Sequence, residues 1–216
     1  FIIRQPETLP KESRIPFSGR RIVNGLIEAC RNRLSLGYTL AAGFMSGVLL
    51  SYLNCAQQIF QGIYGLGRQF PVYMAFIALC LGSASFINSR VVMRFGMRPM
   101  SYRAVSLFIL LSVCYLAVVL VMDGHVPLWL LVLSLALVFF CLGILFGNLN
   151  AIAMAPLGHI AGIGAAVIGS LTSLIASPVS AFVGQLYNHT TVPLACAFVV
   201  LGGLALSAMV WADRPE

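Results

Sequence analysis

Four amides stand where they could recognise a ligand without using charge. Asn54, Gln57, Gln58 and Gln61 fall at i, i+3, i+4 and i+7, so a helix would carry them all on one face. Further along, Phe139, Phe140 and Phe146 precede Asn148 and Asn150. Amides beside aromatic rings suit a large, adaptable, mostly apolar ligand held by few fixed polar contacts. Asn54, Gln57, Gln58, Phe140 and Asn148 are the candidate substrate contacts, with helix-end capping as the competing role for the same groups.

Bond-making chemistry has little to work with. No acid occurs between Glu28 and Asp123, and Asp123, Asp213 and Glu216 fall at or beyond the ends of apolar stretches. A proton relay or an intramembrane aspartyl protease would need acids inside those stretches. His125, His159 and His189 sit in expected loops, so no Ser–His pair forms inside a bundle, and Gly169-Ser170 lacks a GxSG context. Neither a GxxxxGK[ST] phosphate loop nor HExxH occurs. The chain is expected to be no enzyme and to need no cofactor or metal; a channel is harder to reject, since no one filter motif is common to all channels. Cys30, Cys55, Cys80, Cys114, Cys141 and Cys196 are scattered without a CxxC pair and read as buried small apolar residues. Asn188-His189-Thr190 fits a glycosylation acceptor but lies hard against an expected membrane face.

The elements that must position these groups follow from composition. Hydrophobic residues make up 60% of the 216 and charged residues 9%, with mean hydropathy +0.95. A soluble globular domain is about 25% charged, so that class is excluded. Taking charged residues and His as interruptions leaves six long uncharged stretches, which place spans near 34–56, 71–91, 103–122, 127–149, 161–184 and 192–212. Each reaches the roughly 20 residues that cross a bilayer as a helix. None shows the period-2 alternation of a membrane β-barrel. The expected fold is an all-α membrane protein, a six-transmembrane-helix bundle, with 1–33 as a linker and 213–216 as a tail.

Arginine fixes the expected orientation, since Lys and Arg in short loops stay cytoplasmic. Twelve of the 13 basic residues lie before the first span, between the second and third, or after the sixth; Arg68 alone lies on the other side. Both termini are therefore expected in the cytoplasm. The net charge of +7 is a consequence of topology and not a nucleic-acid surface.

Small residues mark the expected helix contacts. Ala161, Ala165, Gly169, Ser173, Ser177 and Ala181 recur every fourth position in the fifth span, and Gly158, Gly162, Ala166 and Ser170 widen the row. Gly43xxxGly47 and Gly143xxxGly147 repeat the pattern in the first and fourth spans. Such faces let backbones approach closely where lipid offers no hydrophobic drive, and a smooth face also permits rocking. Pro178 removes one hydrogen bond within the fifth span and is expected to kink it.

Certain segments resemble a known family. Pro6-Glu7-Thr8-Leu9-Pro10 with Arg14-Ile15-Pro16-Phe17 is similar to the central loop of the major facilitator superfamily, specifically its Bcr/CflA-like multidrug efflux group. Ala155-Pro156-Leu157-Gly158-His159-Ile160-Ala161-Gly162 resembles that group's connection between the tenth and eleventh helices. Arg94-Phe95-Gly96-Met97-Arg98-Pro99 looks like the second-half copy of the superfamily's cytoplasmic loop motif, with Met93 where the family has an acid. The resemblance implies the C-terminal half of a twelve-helix transporter whose halves rock about a midplane site. It further implies a bacterial inner-membrane antiporter exporting small amphipathic or drug-like molecules against protons. The first and fourth spans would line the cavity, Arg90, Arg94, Gly96 and Arg98 would gate the cytoplasmic side, and the coupling acid would lie in an N-terminal half preceding Phe1. A metabolite carrier of the same fold, or a non-transporting fragment or assembly subunit, are the alternatives.

Overall fold

A computed structural model describes residues 19–214. Residues 1–18, which include the two proline-containing segments of the expected linker, and 215–216 of the expected tail lie outside the described residues.

The described residues fold into helices joined by short turns, without a strand among them. A short helix, α1 (Gly19–Arg31), is followed by α2 (Arg33–Gln57), α3 (Phe70–Phe95), α4 (Met97–Val121), α5 (Leu128–Met154), α6 (Ala161–Gln185) and α7 (Val192–Asp213). Among the described residues five stretches are long and apolar enough to cross a membrane: Arg33–Ile63, Gly67–Phe95, Met97–Val121, Leu128–Gln185 and Val192–Asp213. The fourth is 58 residues long and holds both α5 and α6, joined by a 3-10 segment, Ala155–Ile160.

Local chemistry explains the joints. Asn32 separates α1 from α2, and its side-chain oxygen accepts from the Ser35 amide at 3.0 Å, satisfying one of the amides a helix start leaves unpaired. The expected linker thus contains a helix in its second part. Pro71 and Pro193 occupy the first turns of α3 and α7, where the missing N–H costs nothing. Gly96 alone separates α3 from α4, at φ 81°, a left-handed value that a side chain would strain. Both helices therefore extend well beyond 91 and before 103, because arginine stems can run along apolar surface while their heads stay wet. Helix α6 continues through Pro178 without a break.

Helices α2 and α5 are central: α2 packs on α5, α6 and α7, and α5 packs on α2, α3 and α4, with α4 against α7 closing the group. Tyr38, Met45, Phe60, Phe108, Phe139, Phe198 and several leucines fill the interior. Glycines permit the closest approaches. A Cβ on Gly143 would collide with the Leu81 carbonyl oxygen of α3, and one on Gly37 would come within 2.9 Å of the Ala208 carbonyl oxygen of α7.

Two expectations about packing are corrected. The small-residue row of α6, from Ala161 through Ala165, Gly169, Ser173 and Ser177 to Ala181, is exposed, as are Gly162, Ala166 and Ser170. The buried residues of α6 are Gly164, Val167, Ile168, Ala176, Ser180 and Val183 instead, and against α2 the helix brings Ile175 to Gly43 and Val179 to Gly47. In that seam the glycines of α2 meet branched side chains of α6, and the small row of α6 is left uncovered among the described residues. The second correction concerns cysteine: Cys55 and Cys141 are buried, but Cys30, Cys114 and Cys196 are exposed. An apolar side chain meets no penalty on a surface that lipid covers.

Candidate functional site

The amide face lies at the end of the bundle opposite the arginine-rich turns. Asn54, Gln57, Gln58 and Gln61 are all exposed, while Cys55, Ala56, Ile59 and Phe60 between them are buried. The periodicity that gathers them is interrupted in one respect: Gln58–Ile63 winds as a π-helix. A π turn widens the helix by one residue and frees backbone groups from the usual i→i−4 pattern. The Tyr187 hydroxyl, just beyond α6, donates to the Gln58 carbonyl at 3.1 Å. Asn54 also lies beside α6, with its Cβ 3.7 Å from where a Gly184 Cβ would sit. The amides thus form an uncharged polar strip beside the α2–α6 seam, able to donate and accept but not to titrate.

Phe140 and Asn148 do not join that strip. Phe140 is half-buried, while its neighbour Phe139 turns inward to meet Tyr52 edge-on with ring centroids 4.7 Å apart. Asn148 is 3% exposed and faces α3, where it pairs reciprocally with Asn88. The Asn88 Nδ2 donates to Asn148 Oδ1 at 2.8 Å, and the Asn148 Nδ2 donates to Asn88 Oδ1 at 3.1 Å. Ser85 Oγ adds a bond to the Gly143 carbonyl at 2.9 Å. Sequence reasoning missed Asn88, whose signal was its spacing from Leu81, Ala84 and Ser85 on one α3 face. Asn150 is exposed and donates to the Phe146 carbonyl at 2.9 Å. Gly43 meets Ile175 of α6, Gly47 lies near Val179, and Gly147 faces Asn88.

At the arginine-rich end the central group is one the sequence did not single out. Asp213 closes α7 with its side chain 19% exposed. Its Oδ2 accepts from the Tyr38 hydroxyl of α2 at 2.8 Å and from the Tyr102 hydroxyl of α4 at 3.0 Å. The Arg98 guanidinium stands 3.7 Å from Oδ1, which takes no hydrogen bond. Arg33 closes the same rim by donating to the Trp211 carbonyl at 2.8 Å, with its guanidinium over that indole ring. Glu28 of α1 pairs with His159 at 2.9 Å, so the short helix is tied to the α5–α6 joint. Arg90 and Arg94 are exposed on α3, and Gly96 is exposed at the turn.

At the opposite end hydrogen bonds join the loops. The Tyr64 hydroxyl donates to the Val126 carbonyl at 2.6 Å, and burial pushes its phenol up to about 12, which keeps it a donor. Thr191 reaches the Gly124 carbonyl with both its amide and its hydroxyl, at 3.3 Å each. The two ends are thus fastened by different means, charge at one and backbone carbonyls at the other.

No protein-family model matches the sequence. The chain is 34% identical over 209 residues to a Bacillus subtilis protein named "Uncharacterized MFS-type transporter YdgK", covering 94% of this chain and 50% of that protein. It is 27% identical over 198 residues to the bicyclomycin resistance protein homolog of Haemophilus influenzae, covering 90% of this chain and 48% of the relative. The chain spans about half the length of the curated relatives it matches.

Proposed function

We propose that this chain, which is related along nearly its whole length to major facilitator transporters of the bicyclomycin-resistance kind, is the C-terminal half of an efflux antiporter for small amphipathic molecules. Residues 34–212 form a bundle of six membrane crossings, α5 and α6 counting separately, with 1–33 as the linker and 213–216 as the tail. Both ends of the bundle's chain lie on the arginine-rich, cytoplasmic side, and the membrane is a bacterial inner membrane.

The observation that carries this reading is the open amide strip at the end of α2 and in the π turn beyond it, Asn54, Gln57, Gln58 and Gln61, exposed at the edge of an otherwise apolar helix. A carboxylate or sugar carrier needs charge or dense hydrogen bonding in its cavity, whereas a few neutral amides among apolar walls tolerate many amphipathic shapes. Phe140, half-buried on α5, supplies aromatic surface. Asn148 acts indirectly, holding α3 to α5 through Asn88.

Proton coupling falls to the other half. Of the acids among the described residues, Glu28, Asp123 and Asp213, none lies inside the apolar length of a helix. The exposed small row of α6, with Pro178, is the face on which an N-terminal six-helix half rocks.

The test is efflux in the complete transporter carrying Asn54→Ala with Gln58→Ala. The expected result is a rise of about tenfold in the substrate concentration for half-maximal efflux, the cost of about 1.4 kcal/mol of lost contacts. Unchanged kinetics for several amphipathic substrates would overturn the assignment, and competition by a metabolite instead of amphipathic compounds would move it to a metabolite carrier.

A further inference from the structure

The amide strip straddles a change of winding. Asn54 and Gln57 belong to the α-helical part of α2, whereas Gln58 and Gln61 belong to the π turn, Gln58–Ile63. A π turn moves each carbonyl's partner from i+4 to i+5, and it is rare, occurring mostly as a single turn within an α-helix. Some contact must therefore favour it here over continued α winding.

Contacts from two sides meet on this turn. Phe60 packs on Phe70 and Tyr73 of α3, with ring centroids 6.1 and 6.0 Å away. Past the turn the Leu66 amide donates to the Phe60 carbonyl at 3.1 Å, a closure two residues wider than that of an α-helix. Both contacts engage Phe60, which is buried, and neither reaches Gln58 or Gln61, which are exposed. The contact on their side comes from the loop after α6. The Tyr187 hydroxyl donates to the Gln58 carbonyl at 3.1 Å and stands 3.7 Å from where a Cβ on Gly62 would sit. It thus touches the turn at its first residue and again four residues on. Tyr187 itself is half-buried, and its ring rests against His189 with centroids 5.3 Å apart.

We infer that Tyr187 is the positioning residue of the amide strip: by holding the Gln58 carbonyl it keeps the turn in π winding, and that winding sets where Gln61 points relative to Asn54. The inference rests on the strip's being the substrate contact proposed above. Rewinding the turn as α-helix would move Gln61 by one residue in register, about 100° around the helix axis. Asn54 and Gln57, before the turn, keep their places. Tyr187 therefore acts on one part of the site. It governs amphipathic substrates long enough to reach Gln61 and leaves alone those held at Asn54.

The experiment has two arms. In the full 216-residue chain in micelles, hydrogen exchange across residues 58–64 should run about fivefold faster in Tyr187→Phe, the equivalent of one ordinary hydrogen bond. Tyr187→4-aminophenylalanine, which keeps a donor on the ring, should restore the slow exchange. Thr191→Val, which removes a hydroxyl bond to the Gly124 carbonyl at the same end of the bundle, should leave exchange across the turn unchanged. In the complete transporter, Tyr187→Phe should raise the substrate concentration for half-maximal efflux several-fold for those amphipathic substrates that Gln61→Ala also weakens, without lowering the maximal rate. The two substitutions should be non-additive, and substrates indifferent to one should be indifferent to the other. A tether with no part in positioning would instead affect all substrates alike. Unchanged exchange in Tyr187→Phe, additive effects of the two substitutions, or an equal effect on every substrate would overturn the proposal. If exchange responds but no strip substitution alters efflux, Asn54→Ala with Gln58→Ala included, the cavity assignment is what fails, and the positioning role falls with it while the hold of Tyr187 on the turn stands.

Discussion

Asp213 joins three helices mainly through one oxygen. Its carboxylate accepts from Tyr38 and Tyr102 and faces Arg98, so a single side chain at the end of α7 fastens α2 and α4 to it. An acid at a helix C-terminus opposes the macrodipole, and its partners offset that cost. Hydrogen bonds to a charged group contribute about 1.5–3 kcal/mol each, so Asp213→Ala should destabilise the chain by about 3 kcal/mol in a denaturant titration in micelles. Tyr38→Phe and Tyr102→Phe should each cost less, and the pair should be non-additive because the two hydroxyls share one oxygen. Asn88 and Asn148 invite a parallel test. If Asn148 serves α3 and not the ligand, Asn88→Ala and Asn148→Ala should destabilise the chain equally, by about 1–2 kcal/mol, and the double variant should cost little more than either. A change in substrate preference confined to Asn148→Ala would return it to the cavity. The sequence showed Asn148 as an amide in an apolar stretch, but an amide's partner depends on helix rotation, which spacing within one helix does not set.

At the scale of the helix, small residues divide into those that meet a backbone and those that meet nothing. Gly143 leaves no room for a Cβ beside the Leu81 carbonyl, whereas Gly169 has open space around it. Gly143→Leu should therefore pry α3 from α5 and abolish folding of the chain, while Gly169→Leu should leave its unfolding midpoint within error. Circular dichroism with a denaturant series separates the two. Equal effects would mean that α6 turns its small row inward after all. The difference between them was not legible in the sequence, where both sit in equally regular spacings. In a soluble protein polar residues mark the outward face, but lipid is as apolar as leucine, so a membrane helix can present either side with no change in composition. The all-helical, apolar class was legible, because long uncharged stretches without period-2 alternation specify it. The extension of α3 and α4 to a one-residue turn was not, since arginines look like loop residues until their stems are seen lying along the helix.

For the molecule as a whole, the arginine distribution makes the sharpest claim. Arg94 near the end of α3 and Arg68 just before its start should face opposite compartments. In a chain whose own cysteines have been replaced, a membrane-impermeant thiol reagent added outside cells should label Arg68→Cys and spare Arg94→Cys. Labelling of both from one side would break the proposed six-crossing topology and, with it, the proposed assignment of the amide strip to the outer end. The amide strip was readable from i, i+3, i+4, i+7 spacing, and the structure keeps those four residues exposed together. The fastening of the bundle's ends was not readable, because Tyr38, Tyr102 and Asp213 are brought together from positions as much as 175 residues apart.

The single residue between α3 and α4 carries a consequence for how the chain is made. With only Gly96 between them, the two helices have no slack in which one could wait in water while the other enters the bilayer. They should leave the ribosome and partition sideways into lipid as one paired unit, with the guanidiniums at the bend refusing passage through the translocation pore. Lengthening that bend by a flexible tag should uncouple their entry and send newly made chains to quality-control proteolysis, even though the tag itself would project harmlessly from the finished fold.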